Sequence, residues 1–123
     1  MAFDILVVDD SAAIRKILIR MLKQTGKPID SVYEAGDGFE ALEVLKTAKV
    51  SLIMTDINMP NMDGLQLLEH LKATPQYKHI PVLMVTTEGG EAKVLEAVRL
   101  GAAGYVRKPF TAEQIKEKLE QVG

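Results

Sequence analysis

The chain has 123 residues, 47% of them hydrophobic and 26% charged, so it fits a single domain with its own core and is not a disordered chain. It contains no cysteine, which excludes a disulfide framework and a zinc–thiolate site. Fifteen basic residues against 17 acidic ones leave a net charge of -2, too balanced for a dedicated nucleic-acid or membrane-surface binder.

No targeting signal is expected at the start of the chain. The apolar run from Ile5 to Val8 is cut off by Asp9 and Asp10, whereas a secretory signal needs a basic start and a longer apolar stretch. No run approaches the roughly 20 apolar residues of a membrane-spanning helix. A cytoplasmic location is expected.

Ile5 to Val8 reads as the first strand, continuous and without polar alternation, as in a strand buried on both faces. Ile14, Ile17, Leu18, Met21 and Leu22 then recur at helical spacing, and Gly26-Lys27-Pro28 ends that helix. Val32-Tyr33 marks a weaker second strand, of the kind found near a sheet edge. Gly36-Asp37-Gly38 opens a second helix with Leu42 and Leu45 inward. Leu52 to Met54 is another buried strand, followed by a helix bearing Leu65, Leu68 and Leu71 and closed by Pro75. Val82 to Val85 is the fourth strand. A helix over about residues 90 to 100 follows, with Leu95 and Val98 expected inward and glycines 89, 90, 101 and 104 bracketing it. Tyr105-Val106 is the fifth strand, and Ile115, Leu119 and Val122 mark the last helix, beyond which no output domain is expected.

Alternation of strands and helices argues for an open α/β sheet with helices on both faces and right-handed crossovers. Periodicity leaves the strand order open. Ligands of such sheets bind beyond the carboxyl ends of the strands. Asp9 and Asp10 follow the first run, Thr55 and Asp56 end the third, Thr86 and Thr87 follow the fourth, and Arg107, Lys108 and Pro109 follow the fifth. Two carboxylates about 4 Å apart repel by roughly 4 kcal/mol at an effective dielectric near 20. A hard cation relieves that repulsion, and an all-oxygen donor set without histidine or thiolate suits magnesium. Such a site favours phosphoryl transfer, with an aspartate able to act as nucleophile.

Each residue also has a plainer reading. Asp9 and Asp10 resemble helix N-caps. Asp63-Gly64 reads as a turn, Thr86 as a turn hydroxyl and Lys108 as a solvated loop cation. Only their joint placement at successive strand ends argues for a site. The methionines read as packing residues, and His70 and His79 have no partner pattern. No phosphate-binding glycine loop is present, which disfavours nucleotide binding.

Four blocks carry a resemblance. Val7-Val8-Asp9-Asp10-Ser11, the run from Asp56 through Asn58-Met59-Pro60-Asn61-Met62-Asp63-Gly64, Val85-Thr86-Thr87, and Gly104-Tyr105 through Lys108-Pro109-Phe110 resemble the receiver domain of two-component response regulators. The likeness is greatest to the stand-alone chemotaxis regulators of that family and covers the whole chain as one receiver domain. It implies a flavodoxin-like (βα)5 doubly wound fold with a five-stranded parallel sheet in the order 2-1-3-4-5. It implies that Asp56 accepts a phosphoryl group from a histidine kinase with Mg2+. Asp10 then binds the metal directly, Asp9 holds it through water, and Asp56 and the Asn58 carbonyl are further ligands. Lys108 pairs with Asp56 and later with the phosphoryl oxygens, and the Thr86 hydroxyl also binds them. Tyr105 follows Thr86 in a switch of the surface formed by the fourth helix, fifth strand and fifth helix. Asn58 and Glu88 tune the lifetime of the phosphorylated form, and the Lys108–Pro109 peptide is cis. Thr87 departs from the family's pattern, being larger than the alanine or glycine often found there, and is expected to narrow access to Asp56.

The implied partners are a histidine kinase, a downstream protein such as a flagellar motor switch component, and a phosphatase, with no nucleic acid or membrane. The protein is thus expected to be a signalling switch and not an enzyme acting on other substrates. A phosphate shuttle between histidine proteins would share the same chemistry. A magnesium-dependent hydrolase working through an aspartyl phosphate is disfavoured: its D-x-D motif follows the first strand, whereas here adjacent Asp9-Asp10 follow it and the expected nucleophile follows the third strand, and no cap segment is expected.

Overall fold

The computed structural model describes residues 2–86 and 91–122. Among the described residues ten elements alternate: β1 (Phe3–Val8), α1 (Ala12–Gln24), β2 (Ile29–Ala35), α2 (Gly38–Thr47), β3 (Leu52–Asp56), α3 (Gly64–Ala73), β4 (Val82–Thr86), α4 (Glu91–Arg99), β5 (Gly104–Arg107) and α5 (Ala112–Val122). All strands are parallel, in the order β2-β1-β3-β4-β5.

Alternation of side chains across each strand divides the core into two layers. Leu6, Val8, Ile53, Val82 and Met84 pack toward α2, α3 and α4 with Ala41, Leu45, Leu67, Leu68, Leu71 and Ala97. Ile5, Val7, Leu52, Met54, Leu83 and Val85 pack toward α1 and α5 with Leu18, Leu22, Ile115 and Leu119. The central strands are covered on both faces, which is why their sequences are continuously apolar.

The edge strands behave differently. β2 runs for 7 residues, longer than its Val32-Tyr33 signal, because exposed Asp30 and Glu34 interrupt the apolar pattern. Gly104 begins β5 and does not bracket a helix. In α4 the structure reverses the expected face: Val94 and Ala97 are buried, whereas Leu95 is 70% and Val98 54% exposed. Both pairs have the same i, i+3 spacing, so the period alone does not choose between faces one residue apart. In α1, Ile17 lies at the rim of the apolar face, at 40% exposure. Thr87, Glu88, Gly89 and Gly90 lie outside the described residues.

The helix starts also settle what the aspartates do. Ser11 caps α1 by accepting from the Ile14 N–H at 3.3 Å, so neither Asp9 nor Asp10 is spent as the cap. Asp37 caps α2. Asp63 caps α3 in a reciprocal capping box with Gln66.

Candidate functional site

Strand register brings the polar ends together. Val8 pairs with Thr55, so Asp9 and Asp56 leave neighbouring strands side by side. Asp56 pairs with Val85 and Thr86 with Arg107, which places Thr86 and Lys108 on the other flank of Asp56. One carboxylate oxygen from each of Asp9, Asp10 and Asp56 lies within 4.8 Å of the other two. Asp9 and Asp56 are buried, at 1% and 8% exposure, while Asp10 is exposed at the mouth.

Lys108 is the cation that faces the carboxylates. Its ammonium donates to Asp9 Oδ2 at 3.3 Å and stands 3.8 Å from Asp56 Oδ1. It therefore pairs with both buried carboxylates, more closely with Asp9 than with Asp56. The Ile57 N–H donates to Asp56 Oδ1 at 2.8 Å, and the Ser11 N–H donates to Asp9 Oδ1 at 2.9 Å. Burial pushes the Asp56 carboxyl above the ordinary aspartate value; the charges of Asp9 and Asp10 push the same way, while Lys108 and the Ile57 N–H oppose it. Three carboxylates facing one ammonium leave excess negative charge. The donors are all hard oxygens, which fits magnesium and not a softer transition metal.

The flanking residues are also placed. Thr86 is buried at the end of β4, and its carbonyl accepts from the Lys108 N–H at 2.6 Å. Tyr105 pairs with Met84, two residues before Thr86, so Tyr105 and Thr86 share the α4 side of the sheet. The Tyr105 ring is 38% exposed, with the Lys118 ammonium 5.7 Å from its centroid. The Lys108–Pro109 peptide is cis. Asn58 is exposed, and its side-chain oxygen accepts from Lys93 of α4 at 2.5 Å. Glu88 lies outside the described residues.

Gly64 shows how tightly the loop after β3 is wound. A Cβ there would stand 2.1 Å from the Asp56 carbonyl oxygen. The Gly64 N–H donates to Ile57 at 2.8 Å. Asn61, at φ 66°, donates through its amide to Asp37 Oδ2 at 2.9 Å and ties the loop to the start of α2. Two residues at the site escaped the sequence reading, Arg15 and Lys93. Each is a basic residue on a helix, and neither position carries a pattern that marks it.

The fold and site define a receiver domain: residues 5–120 match the response regulator receiver domain family, and the chain belongs to it. Among its relatives, the Campylobacter jejuni chemotaxis protein CheY homolog is 45% identical over 119 residues, covering 96% of this chain and 90% of that protein. Vibrio cholerae CheY-3 is 42% identical over 118 residues, covering 96% and 89%. Among solved structures, the chemotaxis response regulator CheY4 of Vibrio cholerae superposes with a TM-score of 0.86 at 36% identity, covering 100% of both chains. The receiver domain of NtrX from Brucella abortus gives 0.86 at 31% identity, covering 97% of each chain. The protein is thus a CheY-like receiver domain, of a family of signalling switches and not of classical enzymes. Among the described residues no helix is long and apolar enough to cross a membrane.

Proposed function

We propose that the protein is a stand-alone response regulator that takes a phosphoryl group on Asp56 from a histidine kinase and passes the signal on through its α4–β5–α5 surface in chemotaxis. The observation that carries this reading is the cluster of Asp9, Asp10 and Asp56 with Lys108 at the carboxyl ends of β1, β3 and β5. Asp10, Asp9, Asp56 and the Asn58 carbonyl would hold magnesium, which when bound supplies positive charge to the transferring oxygens.

An Asp56 carboxylate oxygen attacks phosphorus in the donor's phosphohistidine. The P–O bond forms as the P–N bond breaks, and the imidazole leaves with the electron pair. Lys108 shifts its charge from the carboxylates to the new phosphoryl oxygens, and Thr86 donates its hydroxyl to one of them. The modification adds about -1.5 to -2 charges at neutral pH. It favours the active conformation only by the extra bonds it makes there. Tyr105, on the same face as Thr86, turns inward in that state. Exposed Leu95, Val98 and Tyr105 give the output surface an apolar character suited to a downstream partner such as a flagellar motor switch protein. Asn58 and Glu88 set how fast water removes the phosphoryl group, alone or with a phosphatase.

The test is labelling with acetyl phosphate followed by intact mass. The wild type should gain one phosphoryl group with magnesium and none in a chelator, and Asp56→Asn should gain none. Undiminished labelling of that variant would refute the proposal.

A further inference from the structure

Arg15, on the first turn of α1, is a half-buried cation for which phosphoryl transfer has no direct use. Its side chain is 19% exposed. Nη1 donates to the Asp9 carbonyl at 2.6 Å, and Nε donates to Glu34 Oε1 of β2 at 2.9 Å. One planar guanidinium therefore spans the end of β1, the start of α1 and the edge strand. The carbonyl it holds belongs to the peptide that joins Asp9 to Asp10.

We propose that Arg15 is a positioning residue of the acidic metal site, fixing the Asp9–Asp10 peptide so that both carboxylates converge on one cation. The inference rests on the magnesium site described above.

Three physical points support it. First, the plane of that peptide fixes ψ of Asp9 and φ of Asp10, and so the direction in which Asp10 leaves the backbone. Asp9 is already held, by the Ser11 N–H on Oδ1 and by Lys108 on Oδ2. Asp10 is exposed, so its aim depends more on the backbone that carries it. Second, two acceptors in different elements require a rigid fork. A lysine ammonium at the end of a flexible stem carries the charge without that geometry. Third, a lone cation beside the acidic cluster would repel an incoming metal ion. The Glu34 carboxylate cancels the charge of Arg15, so the pair orients the peptide with little electrostatic penalty.

The third point gives the test its sign. Arg15→Ala removes a positive charge and leaves Glu34 unbalanced, so electrostatics alone would tighten magnesium binding. Loss of positioning weakens it. Arg15→Lys keeps the charge and loses the fork, and it carries the test by itself if the alanine variant does not fold. Magnesium should be titrated into the full chain and followed by amide chemical shifts.

Partners behind metal ligands commonly contribute tenfold or more in affinity. Both variants are therefore expected to bind magnesium roughly tenfold more weakly than wild type. At saturating magnesium their acetyl-phosphate labelling rates should return to the wild-type value, because the defect lies in holding the ion. Affinity equal to or tighter than wild type in either folded variant would overturn the proposal. That result differs from failure of the underlying reading, in which the wild type itself would show no magnesium-dependent shifts.

Discussion

At the scale of single residues, the site is a compromise between stability and reactivity. Asp56 is buried among like charges, and its carboxyl is held above the ordinary aspartate value chiefly by burial. A raised folded value means that the native state binds more protons than the unfolded chain in the interval between the two values. Stability therefore falls as pH rises through that interval, and the full penalty is present above it. Asp56→Asn removes the charge at similar volume. In a chelator at pH 7 the variant should melt at a higher temperature than wild type, and the gap should shrink as pH drops into the ordinary aspartate range. Calorimetric melts across that range provide the check; a variant no more stable at pH 7 would contradict this account. Gly64 is a second such residue. With the Asp56 carbonyl 2.1 Å from a would-be Cβ, Gly64→Ala must displace backbone next to Asp56. Overpacking of this kind costs about 1–3 kcal/mol, and urea unfolding should register it together with slower acetyl-phosphate labelling.

At the scale of elements, caps and clips hold the loops that carry the chemistry. Asp37 caps α2 through the Glu40 N–H at 2.9 Å and receives the Asn61 amide on its other oxygen. These bonds lower its carboxyl below the ordinary value, the Glu40 N–H contributing most. A depressed folded value contributes stability above the ordinary aspartate range that is lost as pH falls through it. Asp37→Ala should cost about 1 kcal/mol at neutral pH, the usual worth of an N-cap. The loss should shrink in acid, as paired denaturation curves at two pH values would show. Among the helices, α4 departs most from its pattern. It buries Val94 and small Ala97 and leaves Leu95 and Val98 in solvent. Unpartnered apolar side chains on one face are what an interaction surface looks like before its partner arrives.

At the scale of the whole molecule, a metal held by the acidic group would be linked to folding. The three acidic side chains come from the loop after β1 and from the end of β3, and converge only in the native sheet. A ligand that binds the native state alone stabilises it by about 2.7 kcal/mol at one hundred times its dissociation constant. Saturating magnesium should thus raise the melting temperature by several degrees, and EDTA should reverse the shift. Asp56→Asn should show a smaller response than wild type in the same thermal-shift measurement.

Much of this was legible in the sequence. Ile5 to Val8, Leu52 to Met54 and Val82 to Val85 announce central strands because burial on both faces leaves no place for polar alternation. Asp9, Asp10, Asp56, Thr86 and Lys108 announce a site because they follow successive strands, and parallel strands end on one edge. Tertiary structure decided what spacing cannot. It chose Ser11 and not an aspartate as the cap of α1, which face of α4 turns inward, and that Arg15 reaches across to Asp9 and Glu34. Each of these depends on which side chain meets a neighbour from a distant part of the chain. Periodicity records how often a chain returns to a face, and only packing against the sheet determines what that face touches.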